Sequence, residues 1–157
     1  MDEMVIRSLA RWPNVPAVYG WLSLDRRGNW RIKGEKIGNA ALQEFIGRNY
    51  QPDERGCWFF QNGPQRVFVS LAYTPLVVHH EDDGLFDHRG KLFRPSAFFQ
   101  DDEGSVLVEG EGQVGLLDDR DLMRYAEQAD QLPRIARSAV AKRFGFVPDP
   151  AVFLHRP

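Results

Sequence analysis

The sequence has a single cysteine, Cys57, so an intramolecular disulfide and a multi-cysteine metal site are both excluded. Cys57 lies before Trp58 at the start of a predicted strand, and no histidine is near it in the sequence. We therefore interpret it as a small buried thiol rather than a nucleophile. No apolar run approaches the roughly 20 residues that a membrane span needs. The acidic residues 1–4 are not followed by a signal-peptide pattern, so we expect a soluble cytoplasmic protein.

The chain also lacks a large charge of either sign and the best-defined catalytic motifs. Its formal net charge of −2 argues against a protein that binds nucleic acid or an anionic membrane over its whole surface. Neither a glycine-rich loop ending in Lys-Ser/Thr nor a Gly-x-Ser-x-Gly motif is present. With 43% hydrophobic and 12% aromatic residues, the chain can nevertheless bury a real core.

What the sequence does contain is a repeated turn pattern of Asp, two residues and Gly, followed by apolar or aromatic residues. It occurs at residues 25–28, 53–56, 87–90 and 101–104. Aspartate at the first position of a turn accepts hydrogen bonds from the backbone that follows, and glycine supplies the positive φ that a bulged hairpin needs. Asn62-Gly63 is a further hairpin signal. These patterns predict a fold rich in tight β-hairpins.

Helical patterns interrupt the predicted hairpins. They indicate helices over residues 2–12, from Asn39 to Asn49, from Asp118 or Asp119, and between Pro133 and Gly145. We therefore predict an α+β fold, with a curved and mostly antiparallel sheet built from hairpins and about three to four helices packed on it. The polar residues 80–86 suggest a boundary between a lobe of residues 1–80 and a lobe of residues 81–157. The two lobes either share one core in a single compact domain or form two small units.

Two segments resemble each other within the chain. Asp25–Glu35 and Asp101–Glu111 both begin with aspartate, have glycine three residues later, end in Gly-Glu and precede a predicted helix. A diverged duplication would explain this likeness. Tight hairpins resemble one another in any case, and we favour that second explanation.

Three stretches carry a resemblance to a known group of proteins. They are residues 12–22, residues 49–67 and residues 116–122. The second stretch includes the run from Trp58 to Val67. Together they resemble a family of small uncharacterised bacterial proteins, mostly proteobacterial, and the resemblance spans most of the chain. No activity is assigned to that family, so the resemblance implies a cytoplasmic context and no catalytic residue.

The densest polar cluster contains three of the four histidines. Its candidate metal ligands are His79, His80, Asp82, Asp83 and His88, because imidazole and carboxylate groups are ligands of Zn, Mn and Fe. The spacing matches no defined site, and adjacent histidines on a strand point to opposite faces. We therefore favour a solvated acidic loop and keep a divalent metal site as the alternative. No other cofactor is predicted.

Two further candidate surfaces lie in the first half of the chain. Trp21 and Trp30 belong to a hairpin with several arginines and lysines, and aromatic platforms beside cations hold single-stranded nucleic acid in other proteins. No RNA-binding signature accompanies them, and tryptophans are more often core residues. The turn with Asn62 and Arg66 is an exposed rigid loop that could contact a partner or a ligand carboxylate.

We predict a non-enzymatic binding or interaction module whose partner is itself, as a homo-oligomer, or another protein, and not a membrane. Short edge strands and the aromatic-rich first half favour this function. Two alternatives stay open. One is a metal-dependent enzyme or metal-binding protein that uses the loop from His79 to His88. The other is a weak single-stranded nucleic-acid binder that uses the first hairpin, although the net charge argues against nucleic acid.

Overall fold

The computed structural model describes residues 13–155, so the helix expected over residues 2–12 lies outside the described part. Within residues 13–155 the chain divides into two compact units. Unit 1 comprises residues 13–25, 29–72 and 147–155, and unit 2 comprises residues 26–28 and 73–146. The division falls after Ala72, whereas the sequence suggested a boundary within residues 80–86. Those residues instead belong to two paired strands of unit 2.

Unit 1 contains a six-stranded sheet, one α-helix and a short 3-10 segment. Its elements are β1 (Ala17–Leu24), β2 (Trp30–Ile32), β3 (Glu35–Lys36), α1 (Ala40–Arg48), β4 (Tyr50–Pro52), β5 (Trp58–Asn62), β6 (Gln65–Leu71) and the 3-10 segment Pro150–His155. The strand order is β3-β2-β1-β6-β5-β4. Neighbouring strands are antiparallel except for β1 and β6, which are parallel.

Unit 2 contains a seven-stranded sheet. Its elements are β7 (Leu76–Glu81), β8 (Gly84–Asp87), β9 (Leu92–Phe93), β10 (Ala97–Asp101), β11 (Val106–Gly110), β12 (Gln113–Leu117), the 3-10 segments Asp119–Tyr125 and Ala129–Gln131, β13 (Arg134–Ile135) and α2 (Arg137–Phe144). The strand order is β13-β10-β11-β12-β7-β8-β9. The pairs β7–β12 and β10–β13 are parallel and the others antiparallel.

These elements confirm the predicted α+β class and the mostly antiparallel sheets. The helix predicted from Asp118 is a 3-10 segment, and the helix predicted from Pro133 begins only at Arg137, because residues 134–135 pair with β10 as a strand. None of the helices in residues 13–155 is long and apolar enough to cross a membrane.

The four Asp-x-x-Gly turns share one geometry, which confirms the turn prediction. In each turn the aspartate N–H donates to the carbonyl oxygen four residues later. One carboxylate oxygen accepts from the N–H of that same later residue, at 2.9–3.4 Å. The glycines at positions 28, 56, 90 and 104 have φ between +83° and +85°, a region that is costly for residues with a Cβ. In the hairpin near Asn62, by contrast, the turn residues are Gly63-Pro64, since Asn62 is paired with Gln65.

The two sheets repeat one strand order. The order β3-β2-β1-β6-β5-β4 of unit 1 corresponds to β9-β8-β7-β12-β11-β10 of unit 2, with a parallel pair at the same place. From β4 to β6 the registers correspond at a constant offset of 48 residues, so that Asp53 corresponds to Asp101 and Gln65 to Gln113. A repeat is therefore present in the topology. It pairs the Asp101 turn with the Asp53 turn, not with the Asp25 turn as the sequence likeness suggested.

Different side chains fill the corresponding faces of the two sheets. In unit 1, the fully buried ring of Phe60 meets Phe45 of α1 edge-on at 5.5 Å, and Leu42 and Ile46 of the same helix are buried. The residue of unit 2 that corresponds to Phe60 is Val108, which is also fully buried. The core of unit 1 is thus more aromatic at corresponding positions, and a helix contributes to it.

Two smaller predictions for unit 1 are confirmed. Asn39 caps α1, because its side chain accepts a hydrogen bond from the N–H of Leu42 at 2.8 Å. Cys57 is fully buried in a cluster with Phe59 and Phe68. This burial raises the pKa of the Cys57 thiol, as expected for an inert structural cysteine.

Candidate functional site

The chain covers the corresponding faces of the two sheets differently. In unit 1 the connection from β3 to β4 contains α1, which packs on β5. In unit 2 the connection from β9 to β10 consists of residues 94–96 and contains no helix. Unit 2 instead has a cavity of about 230 Å³, formed entirely by its own residues. The cavity is therefore the first place to look for a ligand.

Apolar and polar side chains both line the cavity. The apolar ones are Leu76, Leu92 and Phe93. The polar ones are Asp87, Arg89, Lys91, Arg94, Glu111 and Gln113. Polar groups contribute most of the lining, and Leu92 is the apolar residue with substantial exposed surface.

One ion pair of the cavity wall is already satisfied. The guanidinium of Arg89 donates to Oδ2 of Asp87 at 2.7 and 3.2 Å, and Oδ1 of Asp87 accepts the backbone N–H bonds of its turn. The side chains are 2% exposed for Asp87 and 13% for Arg89. Because the two charges balance each other, this pair adds no net charge to the cavity.

Three other charged side chains at the cavity have no partner. In the part of the chain that the structure describes, the side chains of Lys91, Arg94 and Glu111 make no hydrogen bond or ion pair. All three residues are exposed to solvent. Beyond the pair of Asp87 and Arg89, the cavity thus has two free cations and one free carboxylate.

Gly110 allows two segments of the cavity wall, Phe93-Arg94 and the β11–β12 hairpin, to lie in close contact. A Cβ at this position would collide with the carbonyl oxygen of Arg94 and would lie 2.9 Å from the Phe93 ring. Only glycine therefore lets the end of β9 approach the β11–β12 hairpin so closely. This approach brings Arg94 and Glu111, which are 17 positions apart in sequence, to one cavity.

Glu111 has an unusual backbone conformation. It has φ of +54° and is followed by Gly112 at +78° in the two-residue loop between β11 and β12. Such loops favour Asn, Asp or Gly, because a positive φ costs other residues about 1–2 kcal/mol. In unit 1 the corresponding residue is Gly63, at φ of +57°. The glutamate is thus kept at a position where glycine would be easier.

A histidine–tyrosine pair lies elsewhere on unit 2. Nε2 of His80 is 2.7 Å from the hydroxyl oxygen of Tyr125, and the backbone N–H of His80 donates to Asp121 at 3.0 Å. The Tyr125 ring also packs 5.3 Å from the ring of Phe98. Burial and the nearby Arg124 lower the pKa of His80. The sequence singled out His80 but gave no signal for Tyr125.

The predicted metal ligands do not converge. His79 pairs with Glu81 at 3.3 Å, whereas His80 contacts Tyr125. Nδ1 of His88 accepts a hydrogen bond from the N–H of Val77 at 3.2 Å. Asp82 and Asp83 are exposed in the β7–β8 turn. Among residues 13–155 no three His, Cys, Asp or Glu side chains are close enough to hold a metal ion, so the metal site stays a prediction without a ligand set.

The predicted binding residues of unit 1 do not form one surface. Trp30 is only 4% exposed and packs edge-on against Tyr50 at 4.8 Å, so it is a core residue. Trp21 is half-buried beneath Nζ of Lys33, which lies 4.4 Å from the ring centroid.

At the hairpin tip, the side chain of Asn62 donates to that of Gln65 at 3.2 Å. The guanidinium of Arg66 lies 4.3 Å above the Phe59 ring. Both contacts stabilise the hairpin of unit 1 itself, and their role in binding a partner stays a prediction.

The comparisons with known proteins assign a family. The family model DUF2944, described as "Protein of unknown function (DUF2946)", matches residues 1–151. The chain belongs to this family. No curated protein matches it. The predicted membership of an uncharacterised family is thus confirmed, and the DUF2944 family contributes no assigned activity.

Two solved bacterial structures resemble this DUF2944 chain. One is a DUF1285 family protein from Shewanella baltica OS155, with a TM-score of 0.52 and 16% identity over 68% of this chain and 91% of that one. The other is a DUF1285 family protein from Silicibacter pomeroyi DSS-3, with a TM-score of 0.56 and 14% identity over 81% of this chain and 85% of that one. At these identities the likeness shows the fold alone.

Sequence reasoning missed most residues of the cavity. Arg89 belongs to the predicted turn at residues 87–90, and no sequence pattern assigns a role to Lys91, Arg94 or Gln113. One signal was available. The loop Gly110-Glu111-Gly112 has a glutamate where a two-residue hairpin loop favours Asn, Asp or Gly.

Proposed function

We propose that this protein is a binding module that holds a small organic anion in the cavity of unit 2. The observation that supports the proposal is the presence of two cations, Lys91 and Arg94, whose side chains have no partner among residues 13–155 and line one cavity. Arg89, by contrast, is paired with Asp87. Lys91 and Arg94 are available to a ligand.

The chemistry of the cavity favours an organic anion over an inorganic one. A hydrogen bond between a charged donor and a carboxylate contributes about 1.5–3 kcal/mol. Leu92 adds an accessible apolar surface that an inorganic anion would not use. Leu92 is 52% exposed, so a ligand with an apolar part would also cover exposed apolar surface.

Isothermal titration calorimetry with a set of small carboxylates tests this proposal. We suggest hexanoate, 3-phenylpropionate, L-leucine and L-phenylalanine, with the full chain as receptor. At least one should bind, and the double variant Lys91→Gln with Arg94→Gln should weaken that binding at least tenfold.

A matched control separates the cavity from general electrostatics. Lys36→Gln with Lys142→Gln removes the same charge from two exposed lysines that do not line the cavity, and it should change the affinity less than twofold. The proposal fails if no carboxylate binds, or if binding survives the loss of Lys91 and Arg94.

The other functional predictions of the sequence remain proposals beside this one. They are a cytoplasmic location, a homo-oligomer or another protein as partner, and a role without a cofactor. A native mass spectrum set against the denatured mass of the 18.0 kDa chain tests the predictions on a partner and on a cofactor. A second copy, a metal or a small ligand would each appear as mass that is lost on denaturation.

A further inference from the structure

Glu111 is the least expected residue of the cavity. It lies in the left-handed region at φ of +54°, and its carboxylate makes no hydrogen bond or ion pair within residues 13–155. A glutamate that is costly for the backbone and contributes no contact to the fold is typical of a residue kept for its side chain. Its free carboxylate faces the same cavity as two free cations.

A ligand with charges of both signs would match this arrangement. Lys91 and Arg94 suit a carboxylate, and Glu111 suits an ammonium group. Gln113 adds an amide with no partner in the described part of the chain. The corresponding Gln65 of unit 1 donates to the carbonyl oxygens of Pro13 and Val15 at 2.6 and 2.8 Å. An amide at this position of the repeat is thus suited to donate to an oxygen acceptor.

The size and the wall of the cavity limit the rest of the ligand. A volume of about 230 Å³ corresponds to roughly seven or eight water molecules in the liquid. That space fits a molecule the size of leucine or phenylalanine. Leu76 and Phe93 are only 1% and 6% exposed, so Leu92, at 52%, offers most of the apolar contact surface for a ligand side chain.

We propose, on the basis of the anion site proposed above, that the ligand is a free α-amino acid with an apolar side chain. Its carboxylate binds Lys91 and Arg94, its ammonium group binds Glu111, and its side chain covers the exposed surface of Leu92. Glu111 is then the residue that distinguishes an amino acid from a plain carboxylate of the same shape.

Three compounds of one shape test this inference by calorimetry with the full chain. L-Phenylalanine has both charges, 3-phenylpropionate lacks the amine, and 2-phenylethylamine lacks the carboxylate. We expect L-phenylalanine to bind at least tenfold more tightly than either of the others. The same comparison can be made with L-leucine and 4-methylpentanoate.

Two variants assign the difference to Glu111. Glu111→Gln should remove the preference for L-phenylalanine by weakening its binding, whereas 3-phenylpropionate should bind at least as tightly as before, because a negative charge leaves the cavity. Retained binding of 3-phenylpropionate also shows that the cavity is intact. Glu127→Gln removes an exposed carboxylate of unit 2 that does not line the cavity, and should change neither affinity.

The remaining outcomes distinguish the two proposals. If 3-phenylpropionate binds as tightly as L-phenylalanine and Glu111→Gln has no effect, the amino-acid inference is overturned and the anion site stands. If neither L-phenylalanine, L-leucine nor any plain carboxylate binds, both proposals are overturned.

Discussion

Units 1 and 2 have the same strand order, yet the chain completes them in different ways. Between β3 and β4, unit 1 inserts α1, whose buried Leu42 and Ile46 complete an aromatic core. Between β9 and β10, unit 2 has only residues 94–96, and a cavity lies beside them. Under the proposal made above, one copy of the repeated framework contributes a helix-covered core and the other contributes the binding cavity. The free charges of Lys91, Arg94 and Glu111 lie in unit 2, where no helix stands between the corresponding strands.

Corresponding turns of the two units show a second difference. In unit 1, Asp53 accepts from the guanidinium of Arg55 at 3.0 Å. In unit 2 the residue that corresponds to Arg55 is Glu103, and Asp101 accepts instead from the hydroxyl of Tyr73 at 2.7 Å. Asp101 is fully buried, and burial together with this hydrogen bond raises the pKa of Tyr73 far above its usual range. The two turns have the same backbone geometry. The side-chain partner of the aspartate is the half-exposed cation Arg55 in unit 1 and the buried neutral hydroxyl of Tyr73 in unit 2.

The largest expected effect concerns the two cores. Phe60→Ala should lower the free energy of unfolding by about 3–5 kcal/mol, because it removes a fully buried ring and leaves a cavity. Val108→Ala, at the corresponding position, should cost about 1.5–3 kcal/mol, because it removes less buried surface. Urea unfolding followed by circular dichroism measures both. Equal losses would show that the helix-covered core of unit 1 is not the better packed of the two.

Variants of the two corresponding turns, at Asp53 and Asp101, should lower the free energy of unfolding by smaller amounts. Tyr73→Phe leaves the buried carboxylate of Asp101 without a hydroxyl donor and should cost about 1–3 kcal/mol. Arg55→Met removes the ion pair of Asp53, whose partner is 37% exposed, and should cost less than about 1 kcal/mol. Asp53 keeps its backbone donors in that variant. If Arg55→Met proves the more damaging variant in urea unfolding, this contrast between the turns is wrong.

An exchange of loop residues tests the strain at Glu111. Glu111→Asn should stabilise the protein by about 1 kcal/mol, because asparagine tolerates a positive φ better. Gly63→Glu, at the corresponding loop of unit 1, should destabilise it by about 1–2 kcal/mol. An added Cβ at Gly63 would meet no atom within 4 Å, so this change reports backbone strain alone. Thermal melts of both variants check the two signs, and a destabilised Glu111→Asn would show that the glutamate serves the fold.

The smallest expected effect is the pH dependence that arises from His80. Burial and Arg124 lower its pKa in the folded protein, so an unfolded chain takes up a proton at a pH where the folded one does not. The contribution of His80 to the free energy of unfolding is therefore fully present above about pH 6.5, the pKa of an unfolded histidine. This contribution is lost as the pH decreases below that value. Melting temperatures between pH 8 and pH 5 should show a shallower slope for His80→Asn than for the wild type. His79 is a minor cause of the lowered His80 pKa, so His79→Asn should reduce the slope less than His80→Asn does. An equal reduction would remove the special role of His80.

Some of this structure follows directly from the sequence. The four Asp-x-x-Gly turns were predictable because one aspartate satisfies several backbone donors locally, and the Asn39 cap was predictable for the same reason. The α+β class follows from these hairpins and from the helical spacing of the apolar residues Leu42, Phe45 and Ile46 in α1. Local chemistry is enough for such features, because the groups that interact are within a few residues of one another.

The repeat and the cavity could not be predicted in the same way. Only three of the 21 residues from 50 to 70 are identical to those from 98 to 118, namely the aspartate, the glycine and the glutamine of each stretch. The likeness that the sequence did offer paired the Asp101 turn with Asp25 instead of Asp53. Strand register, not local pattern, brings Arg94 to the loop that contains Glu111. The histidine-rich loop was more conspicuous as a sequence, but its side chains have separate partners.

An NMR titration tests most directly whether the cavity of unit 2 is the binding site. Uniformly ¹⁵N-labelled protein would be titrated with L-leucine and, separately, with 3-phenylpropionate. We expect amide shifts concentrated in residues 91–94 and 110–113, and none in the corresponding loop of unit 1, residues 62–65. Shifts centred on residues 62–65, or no shifts with either compound, would contradict the assignment of the binding site to unit 2.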